Sequence, residues 1–249
     1  MRKALLATAL LLVPLAASAA EGEALVDRSW PHEGFFGSYD KAALQRGFQV
    51  FEQVCASCHS AKYLAFRHLA GIGLDEAQIA AIAARYTVVD GPDDKGEMFE
   101  RPARPSDYFP RPFPNEQAAR AANNGALPPD LSLIVKAREG HEDYIYSLLV
   151  GFEEPPADVE VPSGQYYNRY FPGHLISMPP PLSEGMVEYA DGTPATVPQM
   201  AEDVTQFLAW LSEPHLETRK AVGLKFMLFV LALTGIFYAY KRRLWAKLH

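Results

Sequence analysis

Apolar residues recur at helical spacing in several separate segments of this 249-residue chain. Leu44, Phe48 and Phe51 follow Asp40, a residue type that caps helix N-termini, and predict a helix beginning near residue 41. A second amphipathic helix is predicted over residues 199–211. No segment shows a convincing alternation of apolar and polar residues. The pattern therefore predicts a mainly α fold with long irregular loops.

Gly47 lies inside the first predicted helix, where a glycine costs about 1 kcal/mol of helix propensity relative to alanine. The usual explanation for such a glycine is close passage of another helix. We expect the helix at 199–211 to cross the first helix at this point, with Met200 as part of its core. Shorter helices are predicted at 75–85, 115–124 and 141–150, and the five prolines of 101–114 predict a surface loop.

Both ends of the chain are apolar. A basic start, an apolar stretch and a small-residue cleavage site predict a secretory signal peptide at residues 1–20. Residues 221–240 are long enough to span a membrane, and the basic residues of 241–249 predict a cytoplasmic tail. We therefore expect residues 21–213 to form a periplasmic domain of a bacterial inner-membrane protein, joined to a single transmembrane anchor by a linker at 214–220.

The charge of the chain is distributed unevenly. Residues 21–213 contain 29 acidic and 14 basic side chains, whereas the net charge of the whole chain is only −7. A field this negative disfavours nucleic acid as a ligand and favours a basic protein partner. The densest acidic runs lie at 90–100 and 153–160. They are candidates for a docking surface, although most charge runs are solvated loops.

The two cysteines of the chain belong to one motif, Cys55-Ala56-Ser57-Cys58-His59. This spacing is the attachment signature of c-type haem, because the two sulfurs reach the two vinyl groups of one porphyrin and the histidine then reaches the iron. A zinc half-site, a dithiol redox motif or a disulfide fits less well, since the chain has no second ligand pair. We predict one covalently attached haem c per chain, with His59 as an iron ligand.

The sixth iron position decides between electron transfer and catalysis. Met98, Met186 and Met200 are alternatives, but Met178 precedes three prolines that stiffen its loop, as a weak thioether ligand requires. We predict that His59 and Met178 are the two metal ligands. If Met178 does not bind, the iron has an open position and the chain is a haem enzyme or gas sensor.

The chain resembles the cytochrome c1 family, the membrane-anchored haem subunits of the ubiquinol:cytochrome c oxidoreductase (cytochrome bc1 complex). The similarity covers nearly all of the mature chain. The matching stretches include residues 46–50, 55–60, 67–69, 123–132, 142–144, 151–156, 170–173 and 191–196. The resemblance implies a c-type cytochrome fold followed by one C-terminal transmembrane helix.

The resemblance also implies roles for individual residues. Arg138 and Tyr144 match an arginine and a tyrosine near the haem propionates, and Asn123 and Pro129 belong to the stretch that lines the haem pocket. One departure is the Met-Pro-Pro-Pro sequence beginning at Met178, where the family more often has a small residue between the methionine and the prolines.

The implied function is electron transport in a respiratory or photosynthetic chain. Electrons arrive from the Rieske iron-sulfur protein and leave to cytochrome c, while cytochrome b holds the anchor in a dimeric complex. On its own such a subunit is not an enzyme. Composition alone leaves a second possibility open, an anchored c-type cytochrome shuttle or oxidase subunit outside the bc1 complex.

Overall fold

The computed structural model describes residues 23–246, so the predicted signal peptide lies outside the described residues. The fold is mainly α, with six α-helices in this range and short 3-10 helices at Cys55–Ser57 and Phe66–Ile72. In chain order the helices are α1 (Lys41–Gln53), α2 (Glu76–Ala83), α3 (Glu116–Ala122), α4 (His141–Val150), α5 (Val197–Ser212) and α6 (Leu216–Trp245). The segments between them are mostly irregular, as the sequence predicts.

Helices α1 and α5 cross next to Gly47, as predicted. A Cβ atom at Gly47 would lie only 2.0 Å from the carbonyl oxygen of Asp203 and 2.8 Å from Cβ of Phe207. Beside this contact, the Arg46 guanidinium donates from Nε and Nη2 to the two carboxylate oxygens of Asp203, at 2.9 Å each. The crossing therefore joins a close backbone approach to a buried ion pair.

An aromatic cluster fills the core beside this crossing. Phe48 and Phe51 of α1 pack on Phe207 of α5, with ring centroids 5.6 and 5.5 Å apart. Phe109 packs on the same rings and is only 4% exposed, although it belongs to the proline-rich segment 101–114. The prediction of a surface loop was therefore wrong for Phe109, because its four aromatic neighbours, Phe48, Phe51, Phe66 and Tyr86, are all distant in sequence.

Two short antiparallel ribbons are the strands of the described chain, and the apolar pattern did not predict them. Strand β1 (Thr87–Asp90) pairs with β2 (Phe99–Pro102), with Thr87 opposite Pro102. Strand β3 (Tyr166–Tyr167) pairs with β4 (Leu175–Ile176). The β1–β2 ribbon is largely exposed and needs no apolar face, and the β3–β4 ribbon is half-buried but has only two residues in each strand. Neither ribbon therefore shows the longer alternation of apolar and polar residues that marks a half-buried strand.

Helix α6 extends away from the domain for 30 residues, which corresponds to about 45 Å at 1.5 Å per residue. Its apolar side chains are exposed along its length. Among residues 23–246, α6 is the one helix that is long and apolar enough to cross a membrane. The helix begins at Leu216, so most of the predicted linker 214–220 is helical. The Arg219 guanidinium supports this first turn through its hydrogen bond to Glu213 at 2.5 Å.

The segment before α1 crosses the surface of α4. The Val26 amide donates to Ser147 Oγ at 2.9 Å, and Trp30 Nε1 donates to Asp143 Oδ1 at 2.8 Å. Trp30 is 3% exposed and packs edge-on against Tyr146. The same segment also reaches the first turns of α6, where Glu217 accepts from the Tyr39 amide at 2.8 Å.

Candidate haem-binding site

The Cys-x-x-Cys-His motif forms a tight turn directly after α1. The amides of Cys58 and His59 both donate to the carbonyl oxygen of Cys55, at 3.1 and 2.9 Å. Both cysteines are free thiols; Cys55 packs against the core and Cys58 is exposed. The turn therefore presents two thiols and an imidazole from one short segment, and α1 fixes its position.

The environment of Cys55 differs from that of a reactive or metal-binding thiol. Burial raises the pKa of Cys55 to about 12, so the thiol stays protonated at neutral pH. A zinc ligand or a redox dithiol works as the thiolate. The apolar setting fits a sulfur that ends as an uncharged thioether.

The imidazole of His59 is held in one orientation. Its Nδ1 lies 2.8 Å from the carbonyl oxygen of Pro129, which can only accept, so Nδ1 carries the proton and donates. Burial lowers the pKa of His59, and this effect exceeds the opposite effect of the hydrogen bond to Pro129. The ring is therefore neutral at pH 7, and its Nε2 keeps a lone pair for a metal.

Asp130 forms hydrogen bonds that link its own segment, which includes Pro129, to the residues just after the cysteine motif. Its Oδ2 accepts from Ser60 Oγ at 2.7 Å and from the Lys62 amide at 3.0 Å, and its Oδ1 accepts from the Ser132 amide at 3.0 Å. Burial acts to raise the pKa of Asp130, but these hydrogen bonds outweigh it and the pKa is lowered. Asp130 thus determines where the Pro129 carbonyl meets His59.

Asp130 belongs to segment 123–132, but its own bonds to the cysteine motif were not predicted. An aspartate that bonds an amide two residues later is a recognisable turn signal, and the Asp130-Leu131-Ser132 sequence has this form. The bonds to Ser60 and Lys62 span about 70 residues and have no comparable local signal.

A cleft of about 390 Å³ opens beside Cys58. Apolar side chains and prolines form much of its wall, and Arg111 lies at the same cleft. The wall includes Phe113, Leu127, Pro128 and Pro129. Segment 123–132, predicted to line the pocket, therefore contributes directly to a cleft that one of the two thiols faces.

The other predicted site residues lie on three separate segments. Asn123 is half-buried at the end of α3, where its Nδ2 donates to the carbonyl oxygen of Ala119 at 2.7 Å. Arg138 lies close to Tyr144: burial raises the pKa of Tyr144, and the nearby guanidinium opposes that rise. Met178 is half-buried in the loop that follows β4.

The competing methionines differ clearly in their surroundings. Met200 is fully buried in α5, as expected for a core residue, whereas Met98 is 61% exposed and Met186 is 46% exposed. Of these four, Met178 combines partial burial with a proline-stiffened loop.

The side chains of the motif fit the haem c that the sequence predicts. The two cysteine side chains lie one turn apart, and Cys58 faces a cleft whose wall combines apolar side chains with polar and charged ones such as Lys62 and Arg111. The neighbouring imidazole is neutral, with Nδ1 engaged and Nε2 left for iron. This is the set of donors that covalent attachment and axial ligation require.

Comparison with known proteins gives a consistent result. The sequence model of the Cytochrome C1 family matches residues 30–248. Cytochrome c1 of Rhodospirillum rubrum is 46% identical over 262 residues, which cover 98% of this chain and 96% of the relative. A mitochondrial cytochrome c1 heme protein of Solanum tuberosum (c1-2) is 53% identical over 215 residues, covering 86% of this chain and 82% of the relative.

A further relative is a longer protein. Cytochrome b/c1 of Bradyrhizobium diazoefficiens is 52% identical over 242 residues, and the match covers 88% of this chain but only 35% of that protein. The chain therefore spans about a third of the length of this relative. The similar segment is fused there to a further part of the same polypeptide.

Proposed function

Because the chain belongs to the cytochrome C1 family, we propose that it is the membrane-anchored haem c subunit of a ubiquinol:cytochrome c oxidoreductase in a respiratory or photosynthetic chain. One haem c is attached to each chain. On its own the chain catalyses no reaction and serves as a redox subunit of the complex.

The hydrogen bond from His59 Nδ1 to the Pro129 carbonyl carries this proposal. When bound, haem c supplies a one-electron couple between ferric and ferrous iron. Cys55 and Cys58 would hold the porphyrin covalently, and His59 Nε2 and the Met178 thioether would be the protein's ligands to its iron. If both residues bind the iron, they would leave no position for oxygen, peroxide or another substrate, and the haem would transfer electrons rather than catalyse a reaction.

The remaining predicted residues complete the pocket in this proposal. Arg138 and Tyr144 interact with the propionates, where a guanidinium offsets negative charge. Asn123 and Pro129 belong to the wall. The proximity of Arg138 to Tyr144 supports the first assignment, and the position of Pro129 at the cleft supports the second for Pro129.

The partners follow from the family. We infer that the Rieske iron-sulfur protein donates the electron, that cytochrome c accepts it, and that cytochrome b holds α6 in a dimeric complex. The haem domain lies in the periplasm of a bacterium, and the basic end of α6 lies in the cytoplasm. One relative supports the inferred assembly of this chain with cytochrome b. Its name is cytochrome b/c1, and the segment similar to this chain is part of a longer polypeptide.

Purification of the tagged full-length chain from mild detergent tests this proposal. We expect a b-type cytochrome to co-purify, and a quinol to reduce the c-type haem only while the Rieske protein is present. Dithionite should reduce the haem in every preparation, which controls for damaged haem. A chain that purifies without a b-type cytochrome and accepts electrons only from soluble carriers would instead be an anchored shuttle.

A further inference from the structure

Two aromatic side chains protrude from the surface of the haem domain. Phe36 is 87% exposed and Phe35 is 56% exposed, and their rings meet edge to face with centroids 4.9 Å apart. They lie at the tip of a turn formed by residues 31–38, which we name the Phe35–Phe36 turn. Adjacent exposed aromatic rings are uncommon on a soluble surface unless that surface binds something.

The Phe35–Phe36 turn lies against the first turns of α6. Lys220 Nζ donates to the carbonyl oxygens of His32 and Gly37, at 2.7 and 3.0 Å. Next to the turn, the Tyr39 amide donates to Glu217 Oε1 at 2.8 Å. Lys220 directly precedes the apolar segment 221–240. The bonds between the turn and α6 therefore lie within about 5 Å, or one helical turn, of the first residue of that segment.

The base of the turn is rigid. His32 is 4% exposed, stacks on Tyr39 with ring centroids 4.7 Å apart, and bonds Glu142 through Nε2 at 2.9 Å. The Ser38 amide closes the turn on the carbonyl oxygen of Pro31 at 3.1 Å. A Cβ atom at Gly37 would lie only 1.9 Å from the carbonyl oxygen of Glu33, so the chain folds back tightly here. The two rings are therefore presented on an ordered support.

We propose that the Phe35–Phe36 turn is a second membrane contact, at which Phe35 and Phe36 insert into the headgroup and upper acyl region of the bilayer on the haem side. This proposal rests on the proposed anchoring of α6. Aromatic side chains favour this region, and the Lys220 ammonium beside them suits lipid phosphates. A single helix leaves a domain free to tilt about its attachment, whereas a second contact beside the helix restricts that tilt.

Spin labels on the full-length holoprotein in phospholipid vesicles test the proposal. Haem attachment consumes Cys55 and Cys58, so a cysteine introduced by Phe36→Cys is the free thiol available for labelling. Matched labels come from Tyr108→Cys, an exposed aromatic position of the haem domain, and Leu231→Cys, an exposed position of α6. The measurement is the accessibility of each label to oxygen and to a water-soluble nickel complex, with the haem reduced and its absorbance recorded as a folding control.

We expect nickel accessibility at position 36 to be several-fold lower than at position 108, with higher oxygen accessibility, as at position 231. Nickel accessibility at 36 equal to that at 108, with a lipid-like label at 231, would overturn the second contact while leaving the anchor intact. High nickel accessibility of the label at position 231 would contradict both the membrane anchoring of α6 and the proposed membrane contact of the Phe35–Phe36 turn. A label at 36 shielded from both reagents would mean that protein covers the turn, which also overturns the lipid contact.

Discussion

The α1–α5 crossing and the loops of the candidate site are held together in different ways. At the crossing, a Cβ atom at Gly47 would meet backbone at 2.0 Å, and twelve of the sixteen residues of α5 are buried. In the loops, the carbonyl of Pro129 and the carboxylate of Asp130 make polar bonds to the cysteine motif. Pro179 and Pro180, which follow Met178, are exposed.

The helix crossing and the loops therefore contribute differently to the site. The crossing sets the position of the cysteine motif by steric contact, which tolerates little change. The loop that contains Pro129 and Asp130 is joined to that motif through hydrogen bonds, each of which contributes only about 1 kcal/mol. We therefore expect changes at the crossing to destabilise the whole fold strongly, and changes in the loops to alter the site within an intact fold.

Gly47→Leu gives the largest expected effect. The added side chain collides with the backbone of Asp203 and with Phe207, at a cost above about 3 kcal/mol because backbone cannot move aside as a side chain can. We expect the yield of haem-containing protein to fall nearly to zero, measured by absorbance per amount of expressed chain. Gly223→Leu, where a Cβ atom meets nothing within 4 Å, is the matched control. Normal haem content in Gly47→Leu would refute the close crossing.

Arg46→Leu should be the next largest change. It leaves Asp203, whose side chain is fully buried, with Gln199 as its remaining side-chain partner, and removing one partner of a buried ion pair typically costs about 3–5 kcal/mol. Denaturant unfolding followed at the haem absorbance measures the loss. Asp191→Asn breaks the exposed contact of the same arginine and should cost far less. Equal losses in the two variants would show that burial of the pair is unimportant.

Asp130→Asn tests the loop side of the comparison. We expect the variant to fold and bind haem but to lose about 1–2 kcal/mol at neutral pH, because hydrogen bonds to a carboxylate are weakened. The pKa of Asp130 is lower in the folded protein than its ordinary value of 3.8. Its contribution is therefore complete above pH 3.8 and is lost as the pH falls through the folded pKa. The stability difference between wild type and variant should shrink in acid; a constant difference would mean that the charge of Asp130 plays no part.

Charge reversal in the acidic runs should have the smallest effect on the fold. Asp93, Asp94, Glu153 and Glu154 are exposed, so the loss of their charges should change stability little. Asp93 also accepts from the amides of Lys95 and Glu97, so its replacement by lysine should cost about 1 kcal/mol in this exposed turn. If these residues form the docking surface, the replacement should slow reduction of cytochrome c and flatten its dependence on ionic strength. Stopped-flow kinetics at several salt concentrations measures both effects. Unchanged kinetics would exclude these runs from docking.

Local signals predicted most of the helical fold. Asp40, Asp75 and Asn115 cap α1, α2 and α3 as expected, and Gly47 marked the crossing. The start of α5 was placed two residues late, although Thr196 caps it and Pro198 occupies its first turn, which is a recognisable start signal. Such features are visible because cap and helix are neighbours in the chain.

The site was predictable only in part. The Cys55, Cys58 and His59 motif is local and was identified directly. The bond from His59 to Pro129 spans 70 residues, as does the bond from Ser60 to Asp130. The entry of Phe109 into the core likewise depends on distant partners and runs against the polar, proline-rich character of its own segment. Residue pattern alone carries little information about which distant loops meet.

The optical spectrum of wild type beside Met178→Leu tests the central claim, an iron closed by His59 and Met178, most directly. Each protein is recorded oxidised and then reduced under carbon monoxide. We predict that the wild type shows a low-spin covalent haem with the weak far-red band of methionine ligation and does not bind the gas, while the variant loses the band and binds it. Carbon monoxide binding by the wild type would contradict the account, because the iron would then have an open position.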